Sequence, residues 1–541
     1  MKKASKWLAL MLAIIMLASV GLVGCGGTKE ETKDSGQGTT ETPKADVQEF
    51  HFMTTDEPYL DPQAGQYSLE FEIMNNIYEG LLRMNANQEY EKALAEDIQT
   101  SEDGLTWTFK IRDAKWSDGS AITAHDFVYG LERAVSEELA SIYAFIVSDY
   151  VKEAKATDDK TLVVTLTKPV PYFESLLTFA TYYPVKKEFV EAKGESFGKD
   201  KDSLLFNGPF KVTDWQPDQK LVLEKNENYW DAANVKLEKI TLDIIKDSKA
   251  ALNLYLAGEL DRVGLAGEDV NVYKNDAAYA DQFESTPDTV TFWLMLNNQN
   301  EVLKNANIRK ALSWGFDREN YVNIVLNNGS IPAYGIVPPG MPGPEGQTFR
   351  DANGDLVGYD LTKAQEYLAA GLKELNLEKL PALIYLGYDS DIGIKGSEFI
   401  KDMYRKLGID ITIENLPVAA VKEKRKAGQF DLFFGGWGPD YWDPMTFMDL
   451  FVTEGSFNDG KWSNAKYDEN IKFAQTTADF KTRMEKLLEA EKIMVAEEAG
   501  IVPVYYRGVS RLTKPYVKGF VKHQFGADSS WKWTSIEGKG E

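Results

Sequence analysis

At 541 residues the chain is too long for a single ordinary core, and two to four domains are expected. Its hydrophobic share of 43% and charged share of 27% are those of a water-soluble globular protein. The net charge of −24 argues against nucleic acid and anionic membrane surfaces as partners, because both repel it.

The first element is an N-terminal segment in which Lys2, Lys3 and Lys6 precede an apolar run from Trp7 to Val23, with polar sequence directly after it. A positive start and a short apolar core form an export signal, predicted over residues 1–24. The tetrad Leu22-Val23-Gly24-Cys25 resembles a bacterial lipobox, which implies that Cys25 is lipidated and becomes the first mature residue. The alternative is a lone cysteine inside a transmembrane anchor. Cys25 is the only cysteine, so no disulfide forms within the chain. Residues 25–46 lack any aliphatic run and read as a lipidated cysteine on a flexible tether. No later segment is apolar for 18 residues, so the lipid is the only membrane contact expected.

The body opens on a strand-like alternation, Glu49 to Thr54. SLEFEIMNNIYEGLLRMN then reads as one helix with Ile73, Ile77 and Leu81 on a face. LTWTFKI alternates as a strand, with Leu105, Trp107, Phe109 and Ile111 on one side. Thr123 with Asp126 forms a capping box that starts a helix at Ala124. DANGD, Asp351 to Asp355, begins like a calcium loop, but Leu356 and Thr362 stand where glycine and glutamate are needed, so a hairpin turn is expected. Asp360 caps a further helix that should end at Gly371. PALIYLGY is strand-like, IVPVYY reads as a buried strand, and Phe480, Met484, Leu487 and Leu488 fall at helical spacing between them.

The run from Asp103 to Ala134, DGLTWTFKIRDAKWSDGSAITAHDFVYGLERA, resembles the signature region of the extracytoplasmic solute-binding proteins that serve peptide ABC importers. IYEGLL, FNGPFKVTDW, KNENYWDA, LNLYLAGELD, NIRKALSWGFDRE, GIVPPGM and VPVYYRG recur in the family's order, over about residues 50–520. The resemblance implies an α/β fold of two lobes around a ligand cleft, the periplasmic-binding-protein fold with an additional domain. It places the first lobe at 47–78, 205–296 and 509–541, the additional domain at 79–204 and the second lobe at 297–508.

GGWGPDYWDPMTF, Gly435 to Phe447, follows the apolar strand FDLFFG and so sits at a strand's carboxyl end, where open α/β sheets bind ligands. Gly435, Gly436 and Gly438 allow close backbone approach. Asp440, flanked by Trp437 and Tyr441, is a poorly solvated carboxylate that gains from a cation. It could equally cap a loop turn, with the aromatics in the core. The resemblance implies that Asp440 anchors a peptide's amino terminus and that Tyr67 and Ser68, in GQYS, lie where the first lobe lends main chain to the ligand. Arg425 occupies a position the family can use for the ligand's carboxylate, or else belongs to a solvated basic helix face. Tyr505 and Tyr506 are candidates for the cleft wall. Asp443-Pro444 reads as turn or helix cap. Asn415 to Val421 lacks a tryptophan, and Phe434 replaces an arginine, that enterobacterial oligopeptide binders carry.

Enzyme chemistry finds little footing. His51, His125 and His523 are the only histidines and have no ligand spacing; HExxH, CxxC and GxSxG are absent. GSFNDGKW nearly spells a phosphate loop, but Trp462 replaces the magnesium-holding hydroxyl. No catalytic residue, metal or cofactor is expected. The reading is a monomeric lipid-anchored receptor outside the bacterial membrane that takes short peptides and delivers them to an ABC permease. An oligosaccharide receptor on the same fold and a hydrolase are the rivals.

Overall fold

The computed structural model describes residues 47–477 and 479–539; the export segment, Cys25 and the tether lie outside the described residues. In chain order the principal strands are β1 (Glu49–Thr54), β2 (Ala95–Thr100), β3 (Thr106–Ile111), β4 (Val151–Asp158), β5 (Thr161–Leu166), β6 (Phe210–Gln216) and β7 (Lys220–Lys225). They continue with β8 (Lys239–Ile244), β9 (Arg262–Leu265), β10 (Phe283–Leu296), β11 (Leu383–Tyr388), β12 (Ile411–Leu416), β13 (Leu432–Trp437) and β14 (Ile501–Thr513). One sheet has the order β1-β8-β7-β6, with β1 parallel to β8. A second, β2-β3-β5-β4, is antiparallel. The third runs β9-β14-β10-β13-β11-β12, with Ile331–Pro332 also paired to β14.

The fold is the two-lobed α/β architecture with a cleft between lobes. Two strands explain how the halves are joined. β10 has 14 residues and β14 has 13, which at about 3.3 Å per residue is more than one lobe needs. At one end β14 carries β9; at the other, β10 carries β13. Their mutual pairing is interrupted between Pro287 and Thr291, where a proline without an N–H cannot continue the ladder. Around the far end, helices Ala306–Trp314, Leu361–Leu375 and Asp391–Arg405 bury Ile308, Leu312, Ala364 and Ile400 against Leu294, Leu383 and Val502.

Local expectations hold where the local signal was complete. Asp126 accepts the Thr123 N–H at 2.8 Å, and Asp360 accepts those of Thr362 and Lys363 at 2.9 and 3.0 Å, so both caps form. Three expectations are corrected by tertiary contacts. The helix at Ser68 stops at Ile77, because a Cβ on Gly208 would lie 2.6 Å from the Ile77 carbonyl carbon and the chain leaves as an extended Tyr78. The helix after Asp360 passes through Gly371 to Leu375, because a Cβ at 371 would lie 2.5 Å from Ile308 Cδ1; Asn376, at φ 55°, closes it instead. DANGD is no hairpin: it ends the helix Phe349–Asn353, with Gly354 at φ 63°.

The segment from Ile336 to Asn353 is pinned by one buried carboxylate. Glu491 accepts the Ile336 and Val337 N–H groups at 2.8 and 3.1 Å and the Asn353 amide at 2.6 Å, and it pairs with Arg350. Removing it strands a guanidinium and two backbone donors. Glu491→Ala is expected to lower unfolding stability by about 3–5 kcal/mol, measured in urea; a loss below about 1 kcal/mol would contradict this assignment.

Candidate ligand-binding site

A cavity of about 380 Å³ lies between residues of the β10–β13 region, the Gln66–Ser68 turn and the segment His523–Asp528. Its back wall is β13. This strand pairs with β10 over its whole length, from Leu296 opposite Leu432 to Thr291 opposite Trp437. Among the described residues β11 pairs with it only at Leu432 and Phe433. The other edge of Gly435, Gly436 and Trp437 therefore faces the cavity. The glycines are also demanded from behind: a Cβ at Gly436 would lie 2.5 Å from Phe292 Cε1, and one at Gly435 3.1 Å from Trp293 Nε1.

Beyond the strand the chain turns through Gly438 and Pro439 to Asp440, which is only 8% exposed. Its own N–H donates to Thr446 Oγ1 at 3.1 Å, and the Gly526 N–H donates to the Pro439 carbonyl at 2.9 Å. Its carboxylate receives a hydrogen bond from the Tyr143 hydroxyl. Among the described residues no Lys, Arg or His forms an ion pair with it. Burial therefore pushes its carboxyl well above the ordinary carboxylate range; the charge of Asp449 adds to this, and the Tyr143 hydrogen bond pulls back. Asp449 itself is pushed up to about 7, mainly by burial.

The loop is held from the side away from the cavity. Asp443 receives both guanidinium arms of Arg483 at 2.7 Å, and both side chains are buried. Asp443 also accepts the Met445 N–H at 2.9 Å, a turn just ahead of the short helix Met445–Met448, whose N-cap is Pro444. The turn reading of Asp443-Pro444 therefore holds, and Asp443 is not the cap. Tyr441 does not line the cavity: it stacks on Tyr172 with ring centres 4.7 Å apart and donates to Asp449 at 2.8 Å. Its flanking place in sequence put it beside Asp440, but the turn sends successive side chains to opposite sides.

The structure brings Gly436, Trp437, Gly438, Asp440, Tyr67, Ser68 and Arg425 to this one cavity. The Gln66 and Tyr67 N–H groups are taken by Glu70 at 2.6 and 3.1 Å, which fixes the turn and leaves fewer donors there than its position suggested. The Tyr67 hydroxyl accepts from Lys422 on the facing helix Val418–Lys426. Arg425, on the same helix, has its Nε 3.2 Å from Asp459 and is 41% exposed. Tyr505 and Tyr506 are not on the cavity. Tyr505 stacks on Phe292 at 4.6 Å within the second-lobe core, and Tyr506 donates to the Gly335 carbonyl at 3.0 Å. Both are buried because β14 is an inner strand of its sheet; the residue that reaches the cavity is the next one, Arg507.

Sequence reasoning missed Tyr143, Asp288, Phe292, Arg507 and Asp528, which also line the cavity. Arg507 shares a strand face with the core residue Tyr505, so alternation alone would have hidden it. Tyr143, some 300 positions from Asp440, carries no local signal. Asp288 receives Arg507 at 2.8 Å and lies 3.4 Å from Lys522; burial works to raise its carboxyl, but these two cations win and hold it low.

With the geometry in place, comparison with known proteins decides the family. The model of the bacterial extracellular solute-binding proteins, family 5 Middle, matches residues 89–459. The chain belongs to this family. It is 33% identical to the dipeptide-binding protein DppE of Bacillus subtilis, over 98% of this chain and 99% of that one. It is similar to the solved structure of Listeria monocytogenes OppA bound to peptide, with a TM-score of 0.82 and 33% identity over 91% and 99% of the two chains. Against MppA, a periplasmic murein tripeptide binding protein in an unliganded open form, the TM-score is 0.68, with 29% identity over 91% and 98%. Family members are extracellular solute-binding proteins, and no helix among the described residues is long and apolar enough to cross a membrane.

A raised carboxyl pKa makes the folded state bind more protons than the unfolded chain between about pH 4 and the folded value, so stability falls as pH rises through that window and stays low above it. Each pH unit of elevation costs about 1.4 kcal/mol. Asp440→Asn keeps the shape and removes the charge. It is expected to stabilise the unliganded protein by at least about 1 kcal/mol at pH 8, with the gain vanishing near pH 3. Urea midpoints across pH test this; a variant less stable than the parent at pH 8 would refute the uncompensated charge.

Proposed function

We propose that this chain captures short peptides outside the membrane and delivers them to an ABC permease. The observation that carries the reading is the buried carboxylate of Asp440, which has no cation of its own and sits at the end of a strand with an open edge. A peptide's free ammonium supplies the missing charge, and its backbone adds to the exposed edge of Gly435 to Trp437, which gives affinity without side-chain preference. A neutral sugar would leave the carboxylate unpaired, so the oligosaccharide alternative is disfavoured. The names of the similar proteins, a dipeptide-binding protein and an OppA bound to peptide, point the same way.

The proposed site comprises Asp440, Gly436, Trp437 and Gly438 on the second lobe, Tyr67 and Ser68 on the first, and Arg425 at the mouth, to which Tyr143 is now added. The proposed lobes are 47–78 with 205–296 and 509–541, and 297–508, with the additional domain at 79–204. The hinge we place at Asp288–Val290 and Arg507, where the β10–β14 ladder breaks. Contacts across the cleft support a closed conformation: Lys422 on Tyr67, the Trp442 N–H on Ser175 Oγ at 2.8 Å, and Tyr441 on Tyr172. The greater similarity to a peptide-bound relative than to an open unliganded one agrees. Ligand that bridges the lobes stabilises this form and changes what a permease meets. Cys25 supplies the proposed lipid anchor, and transport energy belongs to the permease complex.

Asp440→Ala is expected to cost about 3–5 kcal/mol of binding for peptides with a free amine and little for the same peptides N-acetylated, measured by calorimetry. Equal losses for both series would remove the ammonium role.

A further inference from the structure

A second chamber of about 420 Å³ adjoins the cleft and shares Asp288, Arg507 and Asp528 with it. It lies toward β9, past the break in the β10–β14 ladder. Its construction follows from strand geometry. On β14, side chains alternate, so Arg507, Val509 and Arg511 share one face while Ser510 and Leu512 are buried behind. Gly264 of β9 stands directly opposite Arg511. A Cβ on Gly264 would meet nothing within 4 Å, so the missing side chain leaves open space in front of the guanidinium.

The charges around that space are unevenly satisfied. Arg507 and Lys522 share Asp288, and Arg262 holds Glu284 at 2.6 Å. Arg511 comes no closer than 3.8 Å to Glu284 and makes no hydrogen bond among the described residues, although its side chain is only 13% exposed. Two acids, Glu72 and Asp528, stand on the chamber wall without an ion pair; Glu72 accepts the Ser529 hydroxyl. Burial and then the charge of Asp528 push Glu72 up to about 7, while the Ser529 hydrogen bond and the nearby Arg511 and Arg262 pull it back. Arg262 is brought down to about 10 by burial and then by the nearness of Arg511. Arg511 is thus the cation of this wall that is held most loosely, its nearest paired acid, Glu284, being 3.8 Å away.

We propose that this chamber is a subsite for a carboxylate of the bound ligand, received by Arg511 in the space left by Gly264. The inference rests on the peptide reading and deepens it: Asp440 holds the ammonium end, and a carboxylate some way along the peptide enters the second chamber. That carboxylate is either the C-terminus or an acidic side chain. Arg425, half exposed and engaged with Asp459, is left as a contact at the mouth.

Calorimetry on the unlipidated protein with alanine tri- to pentapeptides, all with free amines, separates the possibilities. Peptides ending in a free carboxylate are compared with their C-terminal amides, and amides carrying one internal glutamate with amides carrying none. The parent protein is expected to favour one carboxylate-bearing class by at least about tenfold, and that class names the source. Arg511→Gln should abolish the preference while leaving binding of the uncharged amide within about twofold, which also shows that the variant is folded. Gly264→Leu keeps every charge but fills the space, and should remove the same preference. A parent that binds all classes equally, or an Arg511→Gln variant that keeps its preference, overturns the subsite and leaves the Asp440 role standing. Failure of every peptide to bind the parent overturns the peptide reading, and the subsite with it.

Discussion

An ionised carboxylate removed from water and given no cation is among the costliest arrangements a folded protein can hold, and Asp440 is in that condition. The unliganded molecule has two ways to relieve it: to bind a proton, which the raised carboxyl favours, or to open and let water in. A ligand ammonium offers a third that leaves the lobes shut. The rest of the cleft can be understood as what keeps that choice sharp. If Asp440 could swing to a lysine or out to solvent, its desolvation would no longer be available to reward a ligand, and closure would lose its dependence on what lies inside.

The fold prevents such escape by devoting buried interactions to the loop that carries Asp440. Arg483 and Asp443 form a bidentate pair beneath the loop, Thr446 takes the Asp440 N–H, and Tyr441 is clamped between Tyr172 and Asp449. Buried ion pairs are poor sources of net stability compared with well-packed apolar groups. What this one does supply is a single geometry for the neighbouring turn. The same loop also touches Tyr172 and Ser175 and, through Gly526, the C-terminal segment. In the proposed reading, occupancy of the carboxylate is thereby tied to the docking of the chain segments around it.

What was legible in the sequence and what was not divides along contact range. Caps at Thr123 and Asp360 form because their partners lie within three residues. Asp440, Gly436 and Trp437 could be placed at one cavity because a strand end rich in glycine and aromatics is itself a local signature, and the family's ordered motifs located it. The helix that ends at Ile77 and the one that ignores Gly371 were misread because the deciding atoms belong to Gly208 and Ile308, far away in sequence. Tyr505 and Tyr506 were misplaced for a related reason: aromatic residues near a crossing look like a cleft wall until the sheet order shows that their strand is an inner one. For Gly435 and Gly436 the structure supplies a reason the sequence did not show, since Phe292 and Trp293 exclude a side chain there even before any ligand arrives.

The two crossing strands link these observations. In the proposed hinge β10 and β14 bend where their ladder is broken at Asp288–Val290, and there Asp288 ties Arg507 of the other strand. A charge-assisted bond across a break in a ladder restores a connection that the backbone has given up, yet it can pivot where paired backbone cannot. Arg507 and Asp288 border both the main cavity and the chamber beyond it. A ligand held by its ammonium at Asp440 and by a carboxylate past this point would span the pivot itself, so that its two charged ends would resist the opening of the strands at the place where they bend. Preference among ligands would then lie less in the side-chain pockets, which the open edge of β13 leaves permissive, than in whether a molecule has opposite charges far enough apart to reach both sides of the hinge.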